Sequence, residues 1–151
     1  MNSIFNSPFE ISLRVIIILS EYEDSYLSAD MITAIDFMSI YSNAFGLADT
    51  NLHGDNPFKF SELASRRELV QIALKELVAN GFISVNSSKN GFMYFITNNG
   101  LRYSDSFESK YANTLREMVF KVREYTAHQS EKDVVNRINT VFFRSLKGGG
   151  N

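Results

Sequence analysis

Apolar residues recur at helical spacing over most of this chain and at strand spacing in one short stretch. From Ser7 the pattern predicts a helix to about Glu21. Ser7 is placed as N-cap, Pro8 at the first helical position where its missing N–H costs nothing, and Glu10 completes a capping box. Phe9, Leu13, Ile16 and Ile17 share one side, but Ile11, Val15 and Ile18 are apolar as well, so this helix belongs at the centre of its domain. Residues 21–25 are a polar, acidic break. Ser28 then caps a second helix to about Asn43. Met31, Ile35 and Met38 lie on one side of it, and Ile32, Phe37, Ile40 and Tyr41 widen that side, as core residues do. Residues 44–58 show no period. So long a connection inside a compact domain is uncommon and often functional. Phe45, Leu47, Leu52 and Phe58 are placed to tack it down, and residues 53–57 form a tight turn cluster.

After a short turn or helix at 60–64, Ser65 and Glu68 read as a second capping box. Leu69, Val70, Ala73, Leu74, Leu77 and Val78 follow as one buried stripe, and Gly81 stands where a left-handed C-cap residue is wanted. Residues 82–86 are strand-like, 87–91 form a turn ending in Asn-Gly, and 92–96 are the return strand. A helix stopped by glycine and running into a hairpin is the recognition-helix-plus-wing half of a winged-helix domain. Residues 97–100 then punctuate the chain. A long helical pattern follows to about Gln129, with a stripe at Phe107, Tyr111, Leu115, Met118, Val122 and Tyr125. As a single rod it would be about 45 Å long, more than a small winged core covers, so Tyr111, Leu115, Met118 and Val122 are expected at a coiled-coil-like or intersubunit seam. Ser130 and Asp133 cap a last helix carrying Val134, Val135, Ile138, Val141 and Phe142. The tail after about Leu146 is expected to fray.

The expected fold is therefore mainly α with a small β-hairpin. A winged-helix-like domain spans 1–100, a C-terminal helical extension 101–147 and a flexible tail 148–151. With 151 residues and 44% apolar content the chain can bury a core. No run approaches a membrane span, the first residues lack the basic region of a signal peptide, and the cytoplasm of a microbe is the simplest compartment. Zero cysteines exclude disulfides and thiolate chemistry. Net charge is −2, yet residues 1–57 hold eight acids and one base while 58–151 hold fourteen bases and nine acids. Either the two halves face different partners or the split is chance.

Catalytic chemistry is not evident. Glycines are scattered, with no phosphate loop or dinucleotide fingerprint, and no acid pair suits proton transfer. His53 with Asp49 or Asp55 would make a meagre ligand set, and a histidine bonded within the turn is preferred. The chain is expected to hold no metal and no cofactor and not to be an enzyme. DNA binding has more to recommend it. Arg66 and Arg67 open the candidate recognition helix, Gln71 and Lys75 continue outward along it, and Lys89 tips the wing. Five such residues on an acidic protein leave a weak electrostatic footprint, and first-turn arginines often pair with local acids such as Glu62 or Glu68. A winged helix used for protein contacts is preferred over a DNA-binding regulator.

Four blocks carry a family resemblance. They are Phe5-Asn6-Ser7-Pro8-Phe9-Glu10-Ile11-Ser12-Leu13-Arg14, Asn51-Leu52-His53-Gly54-Asp55-Asn56-Pro57, Leu63-Ala64-Ser65-Arg66-Arg67-Glu68-Leu69-Val70 and Gly91-Phe92-Met93-Tyr94. Over about residues 4–125 the chain resembles the middle-component family of bacterial ABC-three-component systems. That resemblance implies a small winged-helix-like subunit encoded between an SMC-like or ABC-type ATPase and an effector, as in Lamassu-type defence against phage and plasmids. It implies an accessory role on the ATPase heads, holding or restraining an effector such as a nuclease, with any DNA contact weak and non-specific. Nucleotide binding and catalysis would belong to the partners. In that setting Asn51, His53, Asp55 and Asn56, beside Arg66 and Arg67, would form a docking surface, unless the turn simply braces the core.

Overall fold

A computed structural model describes residues 7–54 and 62–148. Among these residues ten elements follow one another: α1 (Pro8–Glu21), β1 (Leu27–Ser28), α2 (Ala29–Ile40), a 3-10 turn (Ser42–Phe45), α3 (Leu63–Ala79), β2 (Ile83–Ser88), β3 (Gly91–Ile96), α4 (Asn98–Asp105), α5 (Lys110–Tyr125) and α6 (Glu131–Gly148). The fold is mainly helical with a three-stranded antiparallel sheet in the order β1-β3-β2. No helix among the described residues is long and apolar enough to cross a membrane.

Helix α1 is the hub. Ser7 Oγ accepts from Glu10 N at 3.2 Å, and Pro8 begins the helix, as the capping pattern predicts. Ile16, Ile17 and Ile18 are three successive residues that are all fully buried, because α1 packs against α2, α3, α4 and α5 on different sides. Ser28 caps α2 by accepting from Met31 N. Leu27 and Ser28 also pair with Tyr94 and Met93, which adds a strand that the hydrophobic pattern does not reveal. Two residues are too short to show an alternation, so only the partner makes β1 a strand.

Helix α3 begins three residues earlier than expected. Glu62 is its N-cap, with no capping bond from its side chain, so Ser65 and Glu68 lie inside the helix, both exposed, and form no capping box. Its end matches the expectation. Gly81 has φ 76°, its N–H donates to Val78 O, and Phe82 N–H donates to Leu77 O, which is a Schellman stop. The hairpin turn is tighter than expected: Ser88 pairs with Gly91 across Lys89 and Asn90, and Gly91 takes the positive φ of 96°. Pairing runs from there to Ile83 opposite Ile96, which are both buried at the root.

The predicted 30-residue helix does not exist. Thr97 caps α4 by accepting from Gly100 N, so the polar residues expected to interrupt the chain start a helix instead. Helix α4 ends at Asp105, and Ser109 caps α5 by accepting from Ala112 N. Serines at 106 and 109 satisfy the ends of two helices, while Phe107 between them packs edge-on against Tyr103. At 16 residues α5 is about 24 Å long. It lies along α1 and α2, and α6 lies against α2. Ser130 and Asp133 do cap α6 reciprocally, at 3.1 and 3.2 Å, and the helix continues to Gly148 rather than fraying from Leu146. Ala112, Leu115, Val119, Val122, Val134 and Ile138 belong to the same hydrophobic cluster as α1 to α3. The helices after residue 100 are thus part of one core and not an extension beside it.

Candidate functional site

Two places gather polar or exposed groups that the core alone does not require. The first is internal. Arg14 on α1, Asp36 on α2 and Arg66 on α3 meet where the three helices cross. Arg14 Nε donates to Asp36 Oδ1 at 2.7 Å, and Arg66 Nη1 donates to Asp36 Oδ2 at 2.7 Å. All three side chains are buried, with Arg14 fully so. Burial by itself would raise the Asp36 carboxyl, but the two guanidiniums outweigh it and hold the group at about 2. For Arg14, burial works against the charge and Asp36 overcomes it, so its pKa is raised. Glu62 lies 3.6 Å from Arg66 and accepts from the Tyr41 hydroxyl, which carries the network to the surface at the start of α3.

Above this cluster sits the irregular connection. It is organised by two asparagine side chains and a bond to the end of α2: Asn51 Oδ1 accepts from Asn43 N, the Asn43 side chain donates to Ala48 O and Asp49 O, and Leu52 N donates to Ile40 O. His53 is thereby held 2.7 Å, Nε2 to hydroxyl, from Tyr111 on α5, and 4.0 Å from Glu10. One of its partners is thus on another element, which the sequence reading did not anticipate. Burial, reinforced by Arg14, lowers His53 to about 3 against the pull of Asp36, so the ring is neutral. Burial and the hydrogen bond to Glu10 raise Tyr111, and Arg14 opposes them. Loop and long-helix stripe, read from sequence as separate features, meet in this one contact. No group of three or more metal-ligating side chains occurs among the described residues.

The second place is external. Gln71, Lys75 and Val78 on α3 face Val85 on β2 and Phe92 and Tyr94 on β3 across a groove of about 450 Å³. Phe92 is 64% exposed and Val85 44%. Lys75 is the one charged residue among the described lining.

These positions revise several expected sites. Arg66 is 3% exposed and turned onto Asp36, so it offers no DNA or partner contact. Arg67 is exposed and paired with Asp30, and it lines a separate hollow with Glu131 and Val135 on α6. Gln71 and Lys75 are together in the groove, and Lys89 is exposed at the hairpin turn. Leu115 and Val122 are fully buried in the chain's own core, and Met118 is half-buried with Sδ 3.3 Å from Ser42 Oγ. The expected seam is therefore internal. Asn51 and His53 brace the connection, and Asp55 and Asn56 lie outside the described residues. Arg14 and Asp36 were not singled out from sequence, although a lone charge inside an apolar helix, as in Leu-Arg-Val and Ile-Asp-Phe, is the signal of a paired buried ion. The charge split also has an internal use. Asp36–Arg66, Asp30–Arg67 and Asp24–Arg123 each join the acidic half to the basic half.

Residues 4–148 match the family model described as ABC-three component (ABC-3C) system Middle Component 2. The match includes the C-terminal helices, beyond the span of the sequence blocks. No curated protein and no solved structure matches.

Proposed function

The chain belongs to the Middle Component 2 family of ABC-three-component systems, and from that membership we propose that it is a non-catalytic accessory subunit of the complex. It docks on an SMC-like, ABC-type ATPase in the cytoplasm and helps hold or regulate an effector such as a nuclease, in Lamassu-like defence against phage or plasmids. The order α1, β1, α2, α3, β2, β3 serves as a winged helix used for protein contacts. Nucleotide binding and catalysis reside in the partners.

One observation carries docking over DNA reading. Arg66, the first basic residue of the candidate recognition helix, is spent on Asp36 inside the fold, while the surface between α3 and the hairpin keeps apolar Val85 and Phe92 exposed. Phosphate contacts call for exposed cations, and protein contacts for exposed apolar groups. The alternative, a winged-helix transcriptional regulator, draws on exposed Lys75 and Lys89.

Co-expression with the other two subunits, followed by size-exclusion chromatography, tests the reading. The chain is expected to co-elute with the ATPase. Alone it should turn over no ATP and bind duplex DNA weakly, without sequence preference and with affinity falling steeply in salt. A nanomolar, sequence-specific complex at physiological salt, lost in Lys75→Ala, would establish the regulator. ATP turnover abolished by a substitution in this chain would overturn the non-catalytic role.

A further inference from the structure

We propose that the groove between α3 and the hairpin takes an extended segment of a partner subunit, which adds as a fourth strand along β2. The proposal rests on the accessory-subunit reading and specifies how the partner is held.

Two features converge. Among the described residues, the sheet order β1-β3-β2 leaves β3 paired on both sides and β2 with one open edge, six residues long. Open edges are usually blunted by charge, proline or a bulge. The β2 sequence Ile-Ser-Val-Asn-Ser-Ser has no proline and no charge, and it pairs with β3 in unbroken register. Its free backbone N–H and C=O groups therefore form a regular template. Beside that edge lies the groove, and Val85 of β2 is one of its walls.

A strand laid along β2 would point alternate side chains to the groove side, each about 5 Å from its neighbour on β2. One of them would stand beside Val85 and reach Phe92, Tyr94 and Val78. Lys75, the charged residue in the lining, sets the second requirement. The occupant is a segment with apolar side chains at alternate positions and a carboxylate that meets Lys75. Duplex DNA suits this floor poorly, because Val78, Val85 and Phe92 give phosphates no donors and Lys75 is the one cation among the described lining.

The test uses the full chain against each of the two other subunits of its system, with association followed by biolayer interferometry and by hydrogen exchange of the complex. Phe92→Asp and Lys75→Glu both alter exposed positions, and each variant's thermal unfolding is checked against the wild type. Each variant is expected to bind its partner at least tenfold more weakly with an unchanged melting temperature. Amides along Ile83–Ser88 should exchange more slowly in the complex. If the wild-type chain binds neither subunit, the accessory reading itself fails. If it binds and both variants bind equally well, the groove proposal is overturned and the accessory reading stands. Protection confined to α3 would mean a helix in the groove and would overturn the strand. Self-association of the free chain, or binding of a random-sequence duplex, lost in the same variants would instead assign the groove to a second copy or to nucleic acid.

Discussion

Replacing Asp36 with asparagine would remove the buried carboxylate that the Arg14 and Arg66 guanidiniums share. A buried ion pair adds little over an apolar substitute, but removing one partner strands the other. Asp36→Asn is expected to lower stability by roughly 3–5 kcal/mol, measured by chemical denaturation. Both Asp36 and His53 have depressed pKa values in the fold, so both contribute stability that is present above the unfolded-state value and lost as pH falls. For Asp36 the loss falls between about pH 4 and pH 2. For His53 it begins at about pH 6.5 and continues toward 3, because the unfolded ring takes up a proton that the folded ring does not. From pH 7 to pH 5 this amounts to about 2 kcal/mol, a drop of several degrees in melting temperature. His53→Gln should flatten the melting curve over that range. A variant as acid-sensitive as the wild type would remove His53 as the cause.

At the scale of elements, two glycines that look alike in sequence do different work. Gly81 ends α3 with φ 76°, and a Cβ there would meet open space. Alanine at 81 is strained only by its backbone and should cost about 1 kcal/mol. Gly100 lies in the first turn of α4, against the link between α3 and β2, and a Cβ there would fall 2.0 Å from Phe82 O. Backbone must move to admit it, so Gly100→Ala should destabilise well beyond Gly81→Ala in parallel urea titrations. Equal effects would mean that α4 can shift freely against the hairpin root. Thr97 is part of the same junction, since its hydroxyl donates to Gly81 O at 2.8 Å while capping α4.

For the whole molecule, the decisive fact is that α5 and α6 close the core over α1 and α2. Leu115 has no exposed surface, whereas Phe120, five residues on along the same helix, is 52% exposed. Leu115→Asp would bury an unpaired carboxylate and is expected to unfold the protein, seen as loss of the helical circular-dichroism signal and of a cooperative melt. Phe120→Asp should stay within about 0.5 kcal/mol of wild type. If Leu115→Asp folds normally, α5 is a detachable arm and the boundary at residue 100 is real.

The local chemistry of this chain was legible from its sequence. Ser7, Ser28 and Ser130 cap helices, Gly81 stops α3, the hairpin follows at once, and α1 is buried on every side from Leu13 to Leu19. Each of these depends on residues within one turn of one another or on a period that a single element repeats, so neighbours along the chain suffice. What the sequence could not supply was who meets whom. Strand β1 exists because β3 lies beside it. One long apolar stripe divides into α4 and α5 because Phe107 packs on Tyr103 and Phe9 rather than continuing a rod. Arg66 looked like a surface contact because a helical position near an N-terminus does not say which way it faces until α2 brings Asp36 within 2.7 Å. The groove beside β2 joins residues from 71 to 94 that no single period connects. Pairings across such distances cost loop-closure entropy and are chosen by total burial. Only the assembled fold decides them.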